Sequence, residues 1–222
     1  MCGIFGILTT PAERVNTAVW AALGQANSQR GNLGFGAWLG NGQAYHYPHP
    51  FDPTKIPVET ASIALGHIRA PTSGQTGNPA ELHPFHQGDL WLAHNGLLLN
   101  HRAFPAWHLQ PEVNVDSLTI LGGIVAHLAT HDLPDAICQT VGQLEGQQAC
   151  WLWDAAQQHL YLWRVMSPIY VQSTPTSFIF SSLKPPNVSD LTLLTEGQLY
   201  RLRYPALKLE TAGSFPYYSP YQ

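Results

Sequence analysis

Charged side chains are scarce in this 222-residue chain: Asp, Glu, Lys and Arg together make up 11% of it, and the net charge is only -4. The ten Lys and Arg stand singly apart from Arg201 and Arg203, so there is no basic stripe to meet phosphates and nucleic-acid binding is not expected. Cysteine is scarce too. Cys2, Cys138 and Cys150 form no CxxC pair and leave an odd one over, which argues against a disulfide framework or a structural zinc site and for a reducing compartment. Long apolar runs are also missing: no stretch reaches the ~18 residues of a membrane span. The opening MCGIFGILTTPAE has no basic region of the kind that begins a signal peptide. A cytoplasmic chain without membrane contact is the expectation.

What is plentiful points to a packed interior. Hydrophobic residues make up 45% of the chain, enough for a sizeable core in one domain over residues 1–222. Seven Trp and nine Tyr suit strands covered on both faces. Eleven His invite a metal reading, but no HxxxH falls on a helix and no Cys/His pairing is present, so no metal is expected. Cys138 and Cys150 read as small buried hydrophobes.

Along the chain, Cys2 to Leu8 has the length and content of a strand. Thr10, Pro11 and Glu13 form a capping-box pattern for a helix carrying Val15, Val19, Leu23 and Ala26 and ending before Gly31. Gly34 to Leu39, Gln43 to Tyr47 and Ala61 to Ile68 read as strands. Residues 69–88 read as mostly loop, and Leu90 to Ala93 as a short strand. Ser117 to Leu128 and Pro134 to Leu144 read as helices. From Gln148 on, short strands return: ACWLWD, HLYLWR, PIYVQS, SFIFSS and GQLYRLR. Strands and a helix, then two helices, then strands suggest two packed sheets with helices outside, an α+β layered fold.

The residue with the most chemical promise is Cys2. Trimming of the initiator Met leaves its α-amino group free, and such an amine titrates near ~7.7–8.0. Thiol and base then belong to one residue, and no histidine is needed to activate the nucleophile.

Five ordered segments reinforce that reading. They are MCGIFGI, with Gly3 and Gly6; Gly66-His67-Ile68-Arg69-Ala70-Pro71-Thr72-Ser73-Gly74; NPAELHPF from Asn78 to Phe85; His94-Asn95-Gly96 with the following LLLNH; and Asn114-Val115-Asp116-Ser117. Together with LEGQQACWLWD, RVMSPIY, FIFSSL and EGQLYRLR they resemble the class II glutamine amidotransferases over essentially the whole chain. The likeness is to the glutaminase domain of the kind found in glucosamine-6-phosphate synthase. The resemblance implies the four-layer αββα sandwich of N-terminal-nucleophile hydrolases, and no cofactor.

It also implies roles. Cys2 attacks the side-chain amide, and the Asn95 amide and Gly96 N–H receive the oxyanion. Arg69 holds the α-carboxylate of glutamine, with Thr72 and His94 beside it. Asp116 accepts from the α-ammonium and stands where it could also cap a helix. Residues 69–77, with Gly74 and Gly77, form a loop that could close over the substrate. Two positions depart from the family pattern. Leu33 replaces an acidic residue after Arg30-Gly31, leaving Arg30 without its expected partner. Ala70 replaces a Trp that gates an ammonia path, so no such gate is expected.

The expected reaction gives glutamate and ammonia through a γ-glutamyl thioester, and no acceptor site for ammonia is visible in the 222 residues. The expected partners are therefore glutamine, or another γ-glutamyl amide, and a separate ammonia-consuming synthase subunit. The alternatives are a hydrolase of other γ-glutamyl metabolites and a catalytically silent glutamine-binding module.

Overall fold

The structure, a computed structural model, describes residues 2–70, 78–110, 112–113 and 115–218. Two antiparallel sheets lie face to face. The first has seven strands in the order β11 (Thr192–Leu193), β9 (Tyr170–Ser173), β10 (Ser177–Ser181), β1 (Gly3–Thr9), β4 (Ile63–Arg69), β2 (Gly34–Leu39) and β3 (Ala44–Tyr47). The second has six, in the order β13 (Lys208–Ser214), β12 (Gln198–Arg203), β8 (His159–Val165), β7 (Gly146–Asp154), β6 (Leu90–Leu98) and β5 (Phe85–Gln87). Helix α1 (Thr17–Ser28) covers the outer face of the first sheet, and α2 (Ser117–His127) with α3 (Leu133–Val141) covers that of the second.

Strand alternation explains why these segments read as near-continuous apolar runs. Every residue of β1 is buried, because Ile4 and Leu8 face the second sheet while Phe5 and Ile7 face α1. Trp151, Trp153, Leu160 and Leu162 meet them from the other side, and Cys150, Leu152, Tyr161 and Trp163 turn outward under α2 and α3. Three apolar layers between four structural layers make the αββα sandwich that the sequence implied.

Several local expectations change. The first helix begins at Thr17, not after Thr10, because Thr10 N donates to Thr176 O and Val15 N donates to Ala61 O. Asn16 is the cap, its Oδ1 accepting from Ala18 N at 3.0 Å and Val19 N at 3.1 Å. Strand β6 continues past Ala93 through His94, Asn95 and Gly96 to Leu98. Strand β5 forms within the expected loop, and β13, unexpected, forms the edge of the second sheet. Cys150 is fully buried as expected, but Cys138 is only half-buried against the core under α3, and burial then Asp135 and Asp132 push its thiol up to about 11. Among the described residues, no helix is long and apolar enough to cross a membrane.

Candidate active site

Register places the candidate residues at one end of the sandwich. Gly3 pairs with Ile68 across β1 and β4, so Cys2 and Arg69 end up as neighbours at the same edge. By alternation both sit on the face turned toward the second sheet, where Ile4 and Leu65 also lie. On β6, Asn95 shares the parity of Ala93 and looks back at the first sheet, while His94 and Gly96 look toward α2. The start of α2 closes the end. The result is a cavity of about 20 Å³ lined by Cys2, Arg69, Ala70, His83, His94, Gly96, Val115, Asp116 and Ser117.

Five of the seven expected site residues therefore share one wall. Asn95 stands just behind it, fully buried, with Nδ2 donating to Ser182 Oγ at 3.3 Å and Oδ1 without a partner. Thr72, Asn114 and the expected loop glycines Gly74 and Gly77 lie outside the described residues.

The Cys2 thiol is 7% exposed, and Ala70 N donates to its sulfur at 3.4 Å. Burial pushes this thiol up from its ordinary value, against the opposing pull of the Ala70 N–H and of the Arg69 charge. A buried sulfur of this kind needs a nearby base to be reactive.

Arg69 is already engaged. Its Nη2 meets Glu81 Oε2 at 2.6 Å and its Nη1 donates to the Glu81 carbonyl at 2.5 Å, with both side chains nearly enclosed. A guanidinium carries five N–H donors in a rigid fork that suits carboxylates. Asp116 occupies the cap position of α2 but makes no capping bond. Its backbone is already helical (φ -59°, ψ -29°), and its Oδ2 instead accepts from Leu98 N at 2.7 Å. That bond ties the carboxylate to the end of β6. His94 has both ring nitrogens occupied, Nε2 3.1 Å from Gln147 O and Nδ1 2.9 Å from Ser117 Oγ. Because a carbonyl can only accept, Nε2 carries a proton, while Nδ1 shares its hydrogen bond with a Ser117 hydroxyl that also lies 3.4 Å from Asp116 Oδ1. His94 thus braces the wall rather than offering a free donor.

Gly96 is required where it stands, since a Cβ there would lie 1.8 Å from Gln147 O. Support for the start of β1 comes from Ser182, just beyond β10. Its N–H donates to Ile4 O at 2.8 Å, and its hydroxyl accepts from Ile4 N at 3.1 Å. Arg30 reaches the same residue, Nη2 donating to Ser182 O at 3.4 Å, while its Nη1 is buried without a partner. So Arg30 bears on β1 through Ser182, with Leu33 left at the surface. Glu81, His83, Ser117 and Ser182 were given no role from sequence, although they lie in the quoted segments NPAELHPF, Asn114 to Ser117 and FIFSSL.

No protein-family model matches the sequence, and no curated protein matches it. Solved structures do. The glutamine phosphoribosylpyrophosphate amidotransferase from B. subtilis, complexed with ADP and GMP, superposes with a TM-score of 0.72 at 18% identity, covering 96% of this chain and 49% of that one. A glutamine aminotransferase class-II domain protein from Silicibacter pomeroyi gives 0.65 at 16%, covering 97% of this chain and all of its own. A predicted glutamine amidotransferase from Pseudomonas aeruginosa gives 0.55 at 14%, with 90% and 95% covered. This is the class II glutamine amidotransferase fold. The chain spans about half the length of the B. subtilis amidotransferase chain, and at these identities the likeness is one of fold. Among the described residues of this amidotransferase-type sandwich, no group of three His, Cys, Asp or Glu could hold a metal ion.

Proposed function

We propose that the protein hydrolyses the side-chain amide of glutamine through a γ-glutamyl thioester on Cys2. The observation that carries this reading is the convergence of Cys2, Arg69, Gly96 and Asp116 on one cavity at the end of the two sheets. With Met1 removed, the α-amine of Cys2 takes the thiol proton, and the sulfur adds to the amide carbon. The oxyanion is met by the Gly96 N–H and the Asn95 amide, which keeps one hydrogen on Ser182 and has a second to give. Arg69, with Thr72 close by in sequence, takes the α-carboxylate while retaining Glu81, and Asp116 completes the grip on the amino-acid end. The C–N bond breaks as the amine returns its proton to the nitrogen, and ammonia leaves. Water then adds to the thioester and the C–S bond breaks, giving glutamate and the free thiol. The ammonia goes to a separate synthase subunit.

The test is direct. Purified protein incubated with glutamine should release glutamate and ammonia in equal amounts, and Cys2→Ala should abolish release. Release that survives Cys2→Ala sinks the mechanism. Intact-mass measurement should show Met1 absent from the active protein. A panel of other γ-glutamyl amides should turn over more slowly than glutamine; a better substrate among them would move the activity to that class. A co-purifying chain that consumes the ammonia would identify the acceptor.

A further inference from the structure

His83 is a buried polar residue that the reaction above leaves unused. It is 4% exposed, lines the cavity beside Cys2, and has no hydrogen-bond partner for either ring nitrogen among the described residues. The ring packs against His67, with centroids 4.1 Å apart, and against Phe85 at 4.5 Å. Its backbone is equally fixed: Gly36 comes so near that a Cβ there would lie 1.8 Å from His83 O. Side chain and main chain are thus held from three sides, and the ring cannot turn to solvent.

A neutral imidazole carries one donor and one acceptor. Leaving such groups unpaired in an interior forfeits the hydrogen bonds that water would have given them. An arrangement this rigid and this polar beside a nucleophile is made for a small ligand with a donor and an acceptor of its own. A single water has both, and departing ammonia, also one heavy atom, leaves a space of that size.

We propose that His83 holds and orients the water that hydrolyses the Cys2 thioester, in the place that ammonia vacates. The proposal rests on the glutaminase reading and assigns a residue to its second half. The water oxygen bonds to the thioester carbonyl carbon, the C–S bond breaks, and the water's proton passes by way of the Cys2 amine to the departing sulfur. His83 positions the water without taking the proton. Burial and the neighbouring His67, His94 and Arg69 hold its ring well below the usual imidazole range, so it is a weak base.

The experiment compares wild type with His83→Phe, which keeps a ring against His67 and Phe85, and His83→Gln, which keeps a donor and an acceptor. If only the water step slows, kcat and KM fall together in His83→Phe by roughly 10²-fold, and kcat/KM, set by acylation, holds. Acid-quenched intact mass should then show a γ-glutamyl adduct on Cys2 accumulating in the steady state. Hydroxylamine should restore turnover in His83→Phe, and His83→Gln should recover part of kcat. The proposal is overturned if kcat/KM falls as far as kcat without adduct, or if both variants melt normally and turn over like wild type. A misfolded His83→Phe leaves the decision to His83→Gln, in which unchanged kcat with no adduct also overturns it. Wild type that neither releases glutamate nor acylates Cys2 would overturn the glutaminase reading itself, and this proposal with it.

Discussion

Replacing Gly96 by alanine tests the packing and the chemistry of the site at once. The added Cβ would lie 1.8 Å from Gln147 O and 2.6 Å from the Gln147 carbonyl carbon, against 3.4 Å for an ordinary contact. About 1.6 Å must therefore be found; the worst clash is with backbone, and His94 Nε2 also stands at 2.6 Å. Neither strand can yield easily, because β6 and β7 are paired without interruption from Leu90↔Asp154 to Leu98↔Gly146. Overpacking of this kind costs ~1–3 kcal/mol, which in a domain of this size lowers the melting temperature by roughly 2–10 °C. A displacement above 1 Å also takes the Gly96 N–H out of reach of the oxyanion, a loss of ~10²–10³ in kcat. Thermal unfolding followed by circular dichroism reads the first effect, and glutamate release reads the second. Gly96→Ala with the wild-type melting temperature would refute the close approach of the strands. A lowered melting temperature with unchanged kcat would keep the packing and refute Gly96 as an oxyanion donor.

Removing the anionic partner of a buried arginine should be costly. Glu81→Ala takes away the carboxylate 2.6 Å from Arg69 and should lose ~3–5 kcal/mol in urea unfolding; Glu81→Gln, which keeps an acceptor, should lose less. A loss below ~1 kcal/mol in Glu81→Ala would contradict the enclosed pair. Stability should also fall in mild acid. Burial first, then the His94 charge, holds His67 down at about 3, while in the unfolded chain it titrates near ~6.5. Protons therefore bind the unfolded state preferentially once the pH drops below ~6.5. At pH 5 this amounts to about 2 kcal/mol from His67, with His83 acting in the same direction. Urea unfolding at pH 7 and pH 5 should show the loss, and His67→Gln should flatten the slope. Equal stability of the wild type at both pH values would count against the burial of these rings as neutral groups.

The parts of the fold legible in sequence are those decided locally or by burial on both faces. Gly34–Leu39 matches its expected strand, and α2 starts at Ser117 as expected. The false start at Thr10 shows the limit. Its capping pattern is a sound local signal, but the backbone groups it would have used are taken by Thr176 and Ala61, distant in sequence. Strand β13 was missed because it is a half-exposed edge strand with few apolar residues to mark it. At the site, Cys2, Arg69, His94, Gly96 and Asp116 were legible as ordered motifs. Their mutual bracing was not: Glu81 on Arg69, Ser117 on His94 and Leu98 on Asp116 are contacts that only the folded chain creates.

Ser182 has a consequence for the order in which the molecule assembles. It fastens the start of β1 across 178 residues of chain, and Asn95 and Arg30 lean on it as well. Contacts that distant form slowly, and on a ribosome this one cannot form until Ser182 has emerged. The start of β1 is thus among the last parts to be set in place, and Cys2 stays unseated until Ser182 arrives. Pulse alkylation during refolding should find Cys2 reactive long after Cys150 is closed to reagent.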